Sequence, residues 1–160
     1  MYRVLCPRVH LIRAARREKG KERKSVVIVA TQQRSTPAQL LPKKVEALAG
    51  QRLVAVSAAS LQSLALIADG AVWSWGFGAY GHLGHGDEQS QWQPKKIEAL
   101  AGQRVVAASA GAVNSIAITA DGTVFTWGQG GHGCLGHGED LSNQLLPKRV
   151  EAWAPERLGV

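Results

Sequence analysis

The sequence predicts an all-β repeat fold, either a propeller or a solenoid. Residues 42–86 are nearly repeated as residues 94–138, at a constant offset of 52 residues, and 28 of the 45 aligned positions are identical. A period of about 50 residues is typical of these two architectures. Short runs rich in β-branched and aromatic residues alternate with turns in both copies, and no window keeps a helical period.

Three β-rich runs are predicted in each copy. In the first copy they span residues 52–57, 63–68 and 71–75, and each recurs 52 residues later. The second and third runs are separated by Asp69-Gly70, and in the second copy by Asp121-Gly122. Asp-Gly between apolar runs predicts a type I′ hairpin, in which both central residues have positive φ. One further helical turn is predicted at residues 45–49.

A glycine-rich loop follows the third run of each copy. Trp75 and Trp127 end that run at matching positions, which predicts that both indoles pack in the core. Glycines recurring at a fixed spacing indicate backbone that needs positive φ or lies too close to another strand for a side chain. The predicted structural repeat positions are Asp69, Gly70, Trp75, Gly76, Gly84, Asp121, Gly122, Trp127, Gly128 and Gly136.

The charge distribution divides the chain into two regions. Residues 1–38 carry a net charge of +8, and the remaining residues sum to −1. We predict a disordered basic tail over residues 1–38 and a repeat region over residues 39–160. The repeat units span about residues 42–93 and 94–146, with a partial third unit at residues 147–160.

The tail has four competing interpretations. It is a solvated disordered leader, it carries a nuclear-import patch at residues 19–24, it is an Arg-rich mitochondrial presequence, or it is a spurious leader, because the repeat begins abruptly at residue 39. Two cysteines, Cys6 and Cys134, do not make a disulfide framework and favour a reducing compartment, cytoplasmic or nuclear. No run of 18 apolar residues occurs, so no membrane span is predicted.

One string occurs in full at two places, beginning at Asp69 and at Asp121: Asp-Gly-x-Val-aromatic-x-Trp-Gly-x-Gly-x-x-Gly-x-Leu-Gly-x-Gly. It resembles the repeat of the regulator of chromosome condensation (RCC1) family, over about residues 39–160. The family usually has Gly-x-x-His-Ser before the Asp-Gly hairpin. Gln62 and Asn114 stand where that histidine would be, which weakens any role that needs an imidazole but leaves amide hydrogen bonds available.

The resemblance implies a seven-bladed propeller of four-stranded blades. Two complete units cannot close such a ring, so we interpret the chain as a propeller fragment of about two blades plus a partial blade. Apolar residues on the blade faces, such as Leu64, Leu66, Ile116 and Ile118, would then lack neighbours. Self-association or dependence on a partner chain is expected.

Two chemical motifs have structural explanations. Gly76-x-Gly78-x-x-Gly81 spells a dinucleotide fingerprint, but no stable helix can begin after it and the spelling recurs in the second copy. The loop residues His82, His85, His132, Cys134 and His137 have spacings that could ligate zinc, but only His85 and His137 correspond between the copies. We interpret the histidines as solvent-facing loop residues. No cofactor, no metal and no catalytic residue are predicted.

A protein-binding role follows from the resemblance. Family propellers act as guanine-nucleotide exchange factors for Ran-type GTPases, as modules of HECT-type ubiquitin ligases and as scaffolds, so a small GTPase or a ubiquitin-pathway protein is the expected partner. We predict a non-enzymatic interaction module, with chromatin or nucleic-acid association through the basic tail as the alternative. Trp92, in a polar loop and without an aromatic equivalent, is the candidate partner contact, and local packing is its competing interpretation.

Overall fold

Two antiparallel sheets of four strands each make up the described part of the chain. The computed structural model describes residues 45–151, and both sheets keep the strand order of the sequence. We call them blade 1 and blade 2. Blade 1 contains β1 (Leu53–Ala58), β2 (Gln62–Ile67), β3 (Val72–Gly76) and β4 (Gln91–Lys96), and blade 2 contains β5 (Val105–Ala110), β6 (Asn114–Thr119), β7 (Val124–Gly128) and β8 (Gln144–Arg149).

The two blades share one register. A β-bulge interrupts the β1–β2 ladder after Leu53, and the same bulge follows Val105 in the β5–β6 ladder. A second irregularity lies between Ser74 and Gly76 where β3 pairs with β4, and it recurs between β7 and β8. Because bulges bend a strand and increase its twist, the shared positions give the blades a common shape.

The Asp-Gly hairpins lie where the sequence predicts them, but the turn type differs. Only the glycines have positive φ, 93° at Gly70 and 84° at Gly122, so the type I′ prediction is wrong. The Gly70 amide donates to the Ile67 carbonyl (3.0 Å), and the Ile67 amide donates to the Ala71 carbonyl (2.9 Å). This is a three-residue loop ending in a left-handed glycine. The Asp69 carboxylate favours it by accepting from the Ala71 amide (2.9 Å).

The fourth strand of each blade occupies a stretch that the sequence predicts as a polar loop and the start of a new unit. β4 contains Pro94, which cannot donate to a ladder. Proline is tolerated because β4 lies at the edge of the sheet and pairs with β3 alone. The unit boundary proposed at residue 93 therefore falls inside β4, and four strands per blade agree with the family resemblance.

The helices of residues 45–151 are short 3₁₀ turns, Glu46–Leu48, Ala79–Gly81, Glu98–Leu100 and Gly131–Gly133. The first of them confirms the helical turn predicted at residues 45–49. None of the helices in this range is long and apolar enough to cross a membrane. The predictions for the tail, residues 1–38, and for most of the partial third unit lie outside the described residues.

The largest apolar cluster lies between the blades. Leu64 and Leu66 on β2 face blade 2 and are 1% and 3% exposed. They pack with Val105 of β5 and with Trp127 of β7. Full burial of a leucine side chain contributes about 1.5–3 kcal/mol, so this contact is a main source of cohesion between the blades. A smaller cluster on the other side of blade 1 contains Trp75 and Ile67.

The matching face of blade 2 is open. Ile116 and Ile118 occupy the places of Leu64 and Leu66, yet they are 39% and 38% exposed. The expectation that all four residues lack a neighbour is wrong for Leu64 and Leu66, because blade 2 covers them. Self-association through Ile116 and Ile118 stays a prediction.

Candidate functional site

Gln62 joins the two blades through its amide group. Its Nε2 donates to the carbonyl oxygens of Gly111 (3.0 Å) and Asn114 (2.9 Å), and its Oε1 lies 3.1 Å from the Ser115 hydroxyl. The residue is 1% exposed. A neutral imidazole has one donor and one acceptor, whereas the amide supplies two donors and an acceptor. The glutamine that replaces the family histidine is therefore a complete inter-blade clamp, a role that the sequence did not predict.

Two hydroxyl groups add to this joint. The Ser115 Oγ also lies 3.0 Å from the His82 carbonyl oxygen, so its single proton is shared between Gln62 and the loop of blade 1. At the β1–β5 contact, the Ala110 amide donates to the Ser57 Oγ (3.1 Å). Buried polar groups that are satisfied across an interface fix its geometry more strictly than apolar packing does.

A hydroxyl and a histidine fasten the glycine loop in each blade. Ser74 Oγ lies 2.7 Å from the Leu83 carbonyl oxygen and 2.9 Å from His85 Nε2. Since the hydroxyl proton goes to the carbonyl, the imidazole donates to the hydroxyl oxygen. Thr126 and His137 repeat the arrangement in blade 2, with an Oγ1–Nε2 distance of 3.1 Å. Burial lowers the pKa of both histidines, and the charge of a nearby lysine lowers it further.

His82 is enclosed rather than solvent-facing, which corrects the interpretation made from the sequence. It is fully buried, and neither ring nitrogen makes a hydrogen bond of good geometry, although the carbonyl groups of Phe77 and Ala79 lie near the ring. Burial lowers the pKa of His82, and the carbonyl groups of Phe77 and Ala79 oppose part of that shift. Cys134, at the same place in blade 2, is exposed. No three His, Cys, Asp or Glu side chains among residues 45–151 are grouped to hold a metal ion.

The repeated tryptophans and glycines serve the joint and the loop. Trp127 is fully buried between the blades, and Trp75 is 4% exposed. A side chain at Gly84 would place its Cβ 2.8 Å from the Trp127 Nε1, so the loop of blade 1 lies directly on the indole of blade 2. Gly128 has a φ of 104°, and a Cβ there would lie 2.5 Å from the Val113 carbonyl oxygen. Gly76 is enclosed in the same way by Leu61. Close backbone approach thus explains these glycines.

The remaining repeat positions have local roles. Asp121 accepts from the Thr119 hydroxyl and from the Thr123 amide (3.2 Å), and the Thr119 bond is the first cause of its lowered pKa. Gly136 has a φ of 74° in the loop of blade 2. Lys148 of β8 forms an ion pair with Asp140 of that loop (2.5 Å), and the lysine together with Ser142 holds the pKa of Asp140 well below its usual range.

Trp92 lies on β4 and is 61% exposed. Trp92 and Leu145 of β8 occupy the same position in their blades, because Gln91 pairs with Gly76 and Gln144 pairs with Gly128. Leu145 contacts the glycine loop of blade 1: its carbonyl accepts from the Gly86 amide (3.0 Å), and its side chain covers Gly81. This is the position at which a blade contacts the loop of the blade before it. Partner contact by Trp92 stays a prediction, and blade-to-blade packing explains its apolar character equally.

The connections between strands divide by the end of the blade at which they lie. Residues 59–61, 77–90, 111–113 and 129–143 connect β1 to β2, β3 to β4, β5 to β6 and β7 to β8, so antiparallel pairing places them at one end, which we call the loop end. The Asp-Gly hairpins lie at the opposite end. The inter-blade clamp, the glycine loops and His82 all belong to the loop end.

Comparison with known sequences identifies the repeat. The sequence model of the "Regulator of chromosome condensation (RCC1) repeat" matches residues 69–118 and 121–154, which is more than half of the chain. The chain belongs to the RCC1 repeat family. A second model of the same repeat matches residues 105–134.

Individual relatives match only with part of their own length. Human "E3 ubiquitin-protein ligase HERC2" is 47% identical over 115 residues, which cover 71% of this chain and 2% of HERC2. The "RCC1 domain-containing protein RUG3, mitochondrial" of Arabidopsis thaliana is 36% identical over 118 residues, which cover 74% of this chain and 26% of RUG3. The chain thus spans about a quarter or less of the length of these relatives.

A solved structure shows the same fold. Prp20p from Saccharomyces cerevisiae, whose structure is described together with its binding properties to Gsp1p and histones, superposes with a TM-score of 0.58. The match covers 64% of this chain and 26% of that chain at 22% identity. The two four-stranded sheets are therefore neighbouring blades of an RCC1-type β-propeller.

Proposed function

We propose that the two blades act as part of a non-enzymatic protein-binding propeller. One observation supports this most strongly: the joint of Gln62, Leu64, Leu66 and Trp127 holds the loop ends of both blades side by side as one surface. Loops on a fixed scaffold are where β proteins place their binding residues. The proposed binding surface is formed by both blades, and binding to it requires no catalytic group.

The relatives suggest the class of partner. HERC2 is named as a ubiquitin ligase, but this chain matches only 2% of it, so ligase activity is not carried over. Prp20p is described by its binding to Gsp1p and histones. A small GTPase or a ubiquitin-pathway protein is therefore the partner class that we propose. Exchange-factor activity is the finer possibility within this class.

Direct binding tests the proposal. The full 160-residue chain is immobilised, and a Ran-type GTPase loaded with GDP or with a GTP analogue is passed over it, with ubiquitin in a parallel channel. Saturable binding without faster release of a fluorescent GDP analogue supports an interaction module, and faster release supports an exchange factor. No saturable binding to either protein up to about 100 μM, which corresponds to a binding free energy of about −5.5 kcal/mol, would contradict the proposed partner class.

A matched pair of variants links binding to the joint. Leu66→Asp places a carboxylate between the blades and should abolish binding, because the two loop ends lose their common orientation. Ile118→Asp makes the same change on the open face of blade 2 and should leave binding within about twofold, an effect below about 0.5 kcal/mol. Equal loss in both variants would mean that the joint does not organise the binding surface.

The basic tail supports one alternative, association with nucleic acid. Its net charge of +8 is the observation that favours it. Binding of the full chain to a DNA duplex of about 20 base pairs should then weaken steeply between low and physiological salt, and disappear when the tail Lys and Arg residues are replaced by Gln. Protein binding that survives these replacements assigns that function to the blades.

A further inference from the structure

Three large apolar side chains are exposed at the loop end of blade 1. Leu61, Phe77 and Tyr80 are 48%, 46% and 42% exposed. The Phe77 amide donates to the Leu61 carbonyl (2.8 Å), which extends the β2–β3 ladder beyond the pair Gln62 and Gly76. Directly opposed residues of an antiparallel pair point to the same face, so Leu61 and Phe77 are neighbours there. Tyr80 follows in the 3₁₀ turn Ala79–Gly81. We call these three residues the tip patch.

Blade 2 builds the same backbone without these side chains. The Gln129 amide donates to the Val113 carbonyl (2.9 Å), and His132 has a φ of 63° where Tyr80 has 60°. Val113, Gln129 and His132 thus stand in the places of Leu61, Phe77 and Tyr80. Since the turn forms equally well with a glutamine and a histidine, local folding does not require two aromatic residues. Exposed apolar groups without a folding role mark interaction sites.

A blade packed before blade 1 would reduce the exposure of the patch without burying it, because Val113 and Gln129, in the places of Leu61 and Phe77, stay half-buried in blade 2. His132 is exposed even though blade 1 precedes blade 2, so the place of Tyr80 faces outward in a continuing series of blades. Trp92 differs in this respect, because its counterpart Leu145 lies against the preceding loop. Tyr80 therefore lies outside the surfaces by which one blade contacts the next, and Leu61 and Phe77 lie at their border.

The charge around the patch selects the kind of partner. The loop-end residues 59–61, 77–90, 111–113 and 129–143 contain Asp87, Glu88, Glu139 and Asp140 and no Lys or Arg. Asp140 is paired with Lys148 of β8 and Lys95 of β4 lies near His85, whereas Glu88 and Glu139 are exposed. A Cβ added at Gly78, the residue after Phe77, would lie 2.8 Å from the Glu88 carbonyl oxygen. The backbone of Glu88 is therefore close to the patch. An acidic rim repels phosphate groups and attracts lysine and arginine.

Resting on the proposed protein-binding function, we infer that the tip patch docks a basic protein segment. An apolar side chain of that segment packs on Leu61, Phe77 and Tyr80, and a lysine or arginine beside it reaches Glu88. Aromatic anchors with a charged rim are the usual composition of a binding hot spot. Nucleic acid and anionic lipid are disfavoured at this end by the same carboxylates.

Peptide selection tests this inference. Phage-displayed random peptides of about 12 residues are selected on the full chain, and the enriched peptides are measured by fluorescence anisotropy. We expect an aromatic or aliphatic residue within a few positions of Lys or Arg. Selection of peptides without basic residues, or failure to enrich any peptide, would overturn the inference.

Variants that copy blade 2 into blade 1 provide the control. Phe77→Gln with Tyr80→His introduces the residues that the same turn already carries in blade 2, so folding should be kept, and the peptides should bind about tenfold more weakly or worse. Glu88→Gln should weaken binding severalfold and reduce its salt dependence. Gln129→Ala with His132→Ala should leave binding unchanged. If the double variant unfolds, Tyr80→His alone serves, and undiminished peptide binding to it would contradict the inference.

The two proposals can fail separately. A GTPase or ubiquitin-pathway protein that binds the wild type and the Phe77→Gln/Tyr80→His variant equally would remove the tip patch as its site and leave the interaction module intact. Absence of any protein partner, together with selected basic peptides that depend on the patch, would contradict the proposed partner class and support the patch.

Discussion

Blade 1 and blade 2 have nearly the same sequence and the same register, but one of them is covered and the other is not. Leu64 in blade 1 is 1% exposed, whereas its counterpart Ile116 is 39% exposed. Gln62 makes three inter-blade contacts, and Asn114 at the same place faces no further blade among the described residues. The chain is thus its own control: identical local structure is seen with and without a neighbour.

This difference shows where the stability of a repeat protein lies. In such proteins the stability is approximately the sum of each unit and its interfaces with neighbours. Substitution of a residue that faces the joint in blade 1 should therefore lower the free energy of unfolding more than substitution at the same place in blade 2.

Truncation on the two faces should give the largest contrast. Leu64→Ala leaves a cavity between the blades and should cost about 2–5 kcal/mol, whereas Ile116→Ala removes a side chain that is already partly in water and should cost less than about 1 kcal/mol. Urea denaturation of both variants measures the two values. Equal losses would show that the open face is covered in solution, for example by a second copy.

The Asp-Gly hairpins give the next contrast. Valine is strained at the positive φ of both Gly70 and Gly122, by about 1–2 kcal/mol. At Gly70 the new Cβ would also lie 3.0 Å from the backbone of Arg104 and Val105, whereas Gly122 is exposed. Gly70→Val should therefore lower the unfolding midpoint more than Gly122→Val. If both variants melt like the parent, the hairpin geometry is wrong.

Removal of the clamp should have an intermediate effect. Gln62→Ala leaves two carbonyl groups without their donor and should cost about 1–3 kcal/mol, and Asn114→Ala should stay within about 0.5 kcal/mol. Gln62→His, which restores the usual family residue, should recover part of the loss because an imidazole supplies fewer donors than the amide. Chemical denaturation ranks the three variants, and a neutral Gln62→Ala would argue against the clamp.

The smallest contrast concerns pH and the pair His82 and Cys134. The pKa of His82 is lowered from 6.5 in the folded state, so the unfolded chain binds a proton first as the pH falls. Stability should be fully present above about pH 6.5 and decline as the pH drops through the folded pKa. His82→Cys, which introduces the residue found in blade 2, should make this decline smaller. The part of the decline that is due to His85 and His137 should remain. An unchanged slope between about pH 7.5 and pH 5 would exclude His82 as a contributor.

The sequence could predict features that depend on nearby residues. The offset of 52 residues, the hairpin positions and the packing phase of Trp127 follow from local patterns of apolar residues and glycines. β4 escaped prediction because an outer strand with Pro94, Lys95 and Lys96 has no alternation to detect. The turn type was missed because the Asp69 carboxylate offers its own hydrogen bond, which competes with the type I′ geometry.

Features that depend on the neighbouring blade could not be predicted in the same way. His82 is buried because Gly128 and Ser115 of blade 2 close over it, and nothing in its own loop indicates this. Gln62 departs from the family pattern, and only its hydrogen bonds to blade 2 explain why a glutamine is suitable there. The tip patch, in contrast, could be found from the sequence, since comparing Phe77 with Gln129 between the copies already shows an apolar residue that the repeat does not require.

The prolines of the outer strands also oppose edge-to-edge pairing with other sheets. Pro94 on β4 and Pro147 on β8 leave a gap in the row of N–H donors along the outer edge of each sheet, and each is followed by two cationic residues. The outer strand of a second copy would meet a missing donor and positive charges like its own. Natural sheets use both features to resist edge-to-edge association. A chain that leaves one apolar face open to a neighbour thereby keeps its outer rim unsuitable as a template for amyloid.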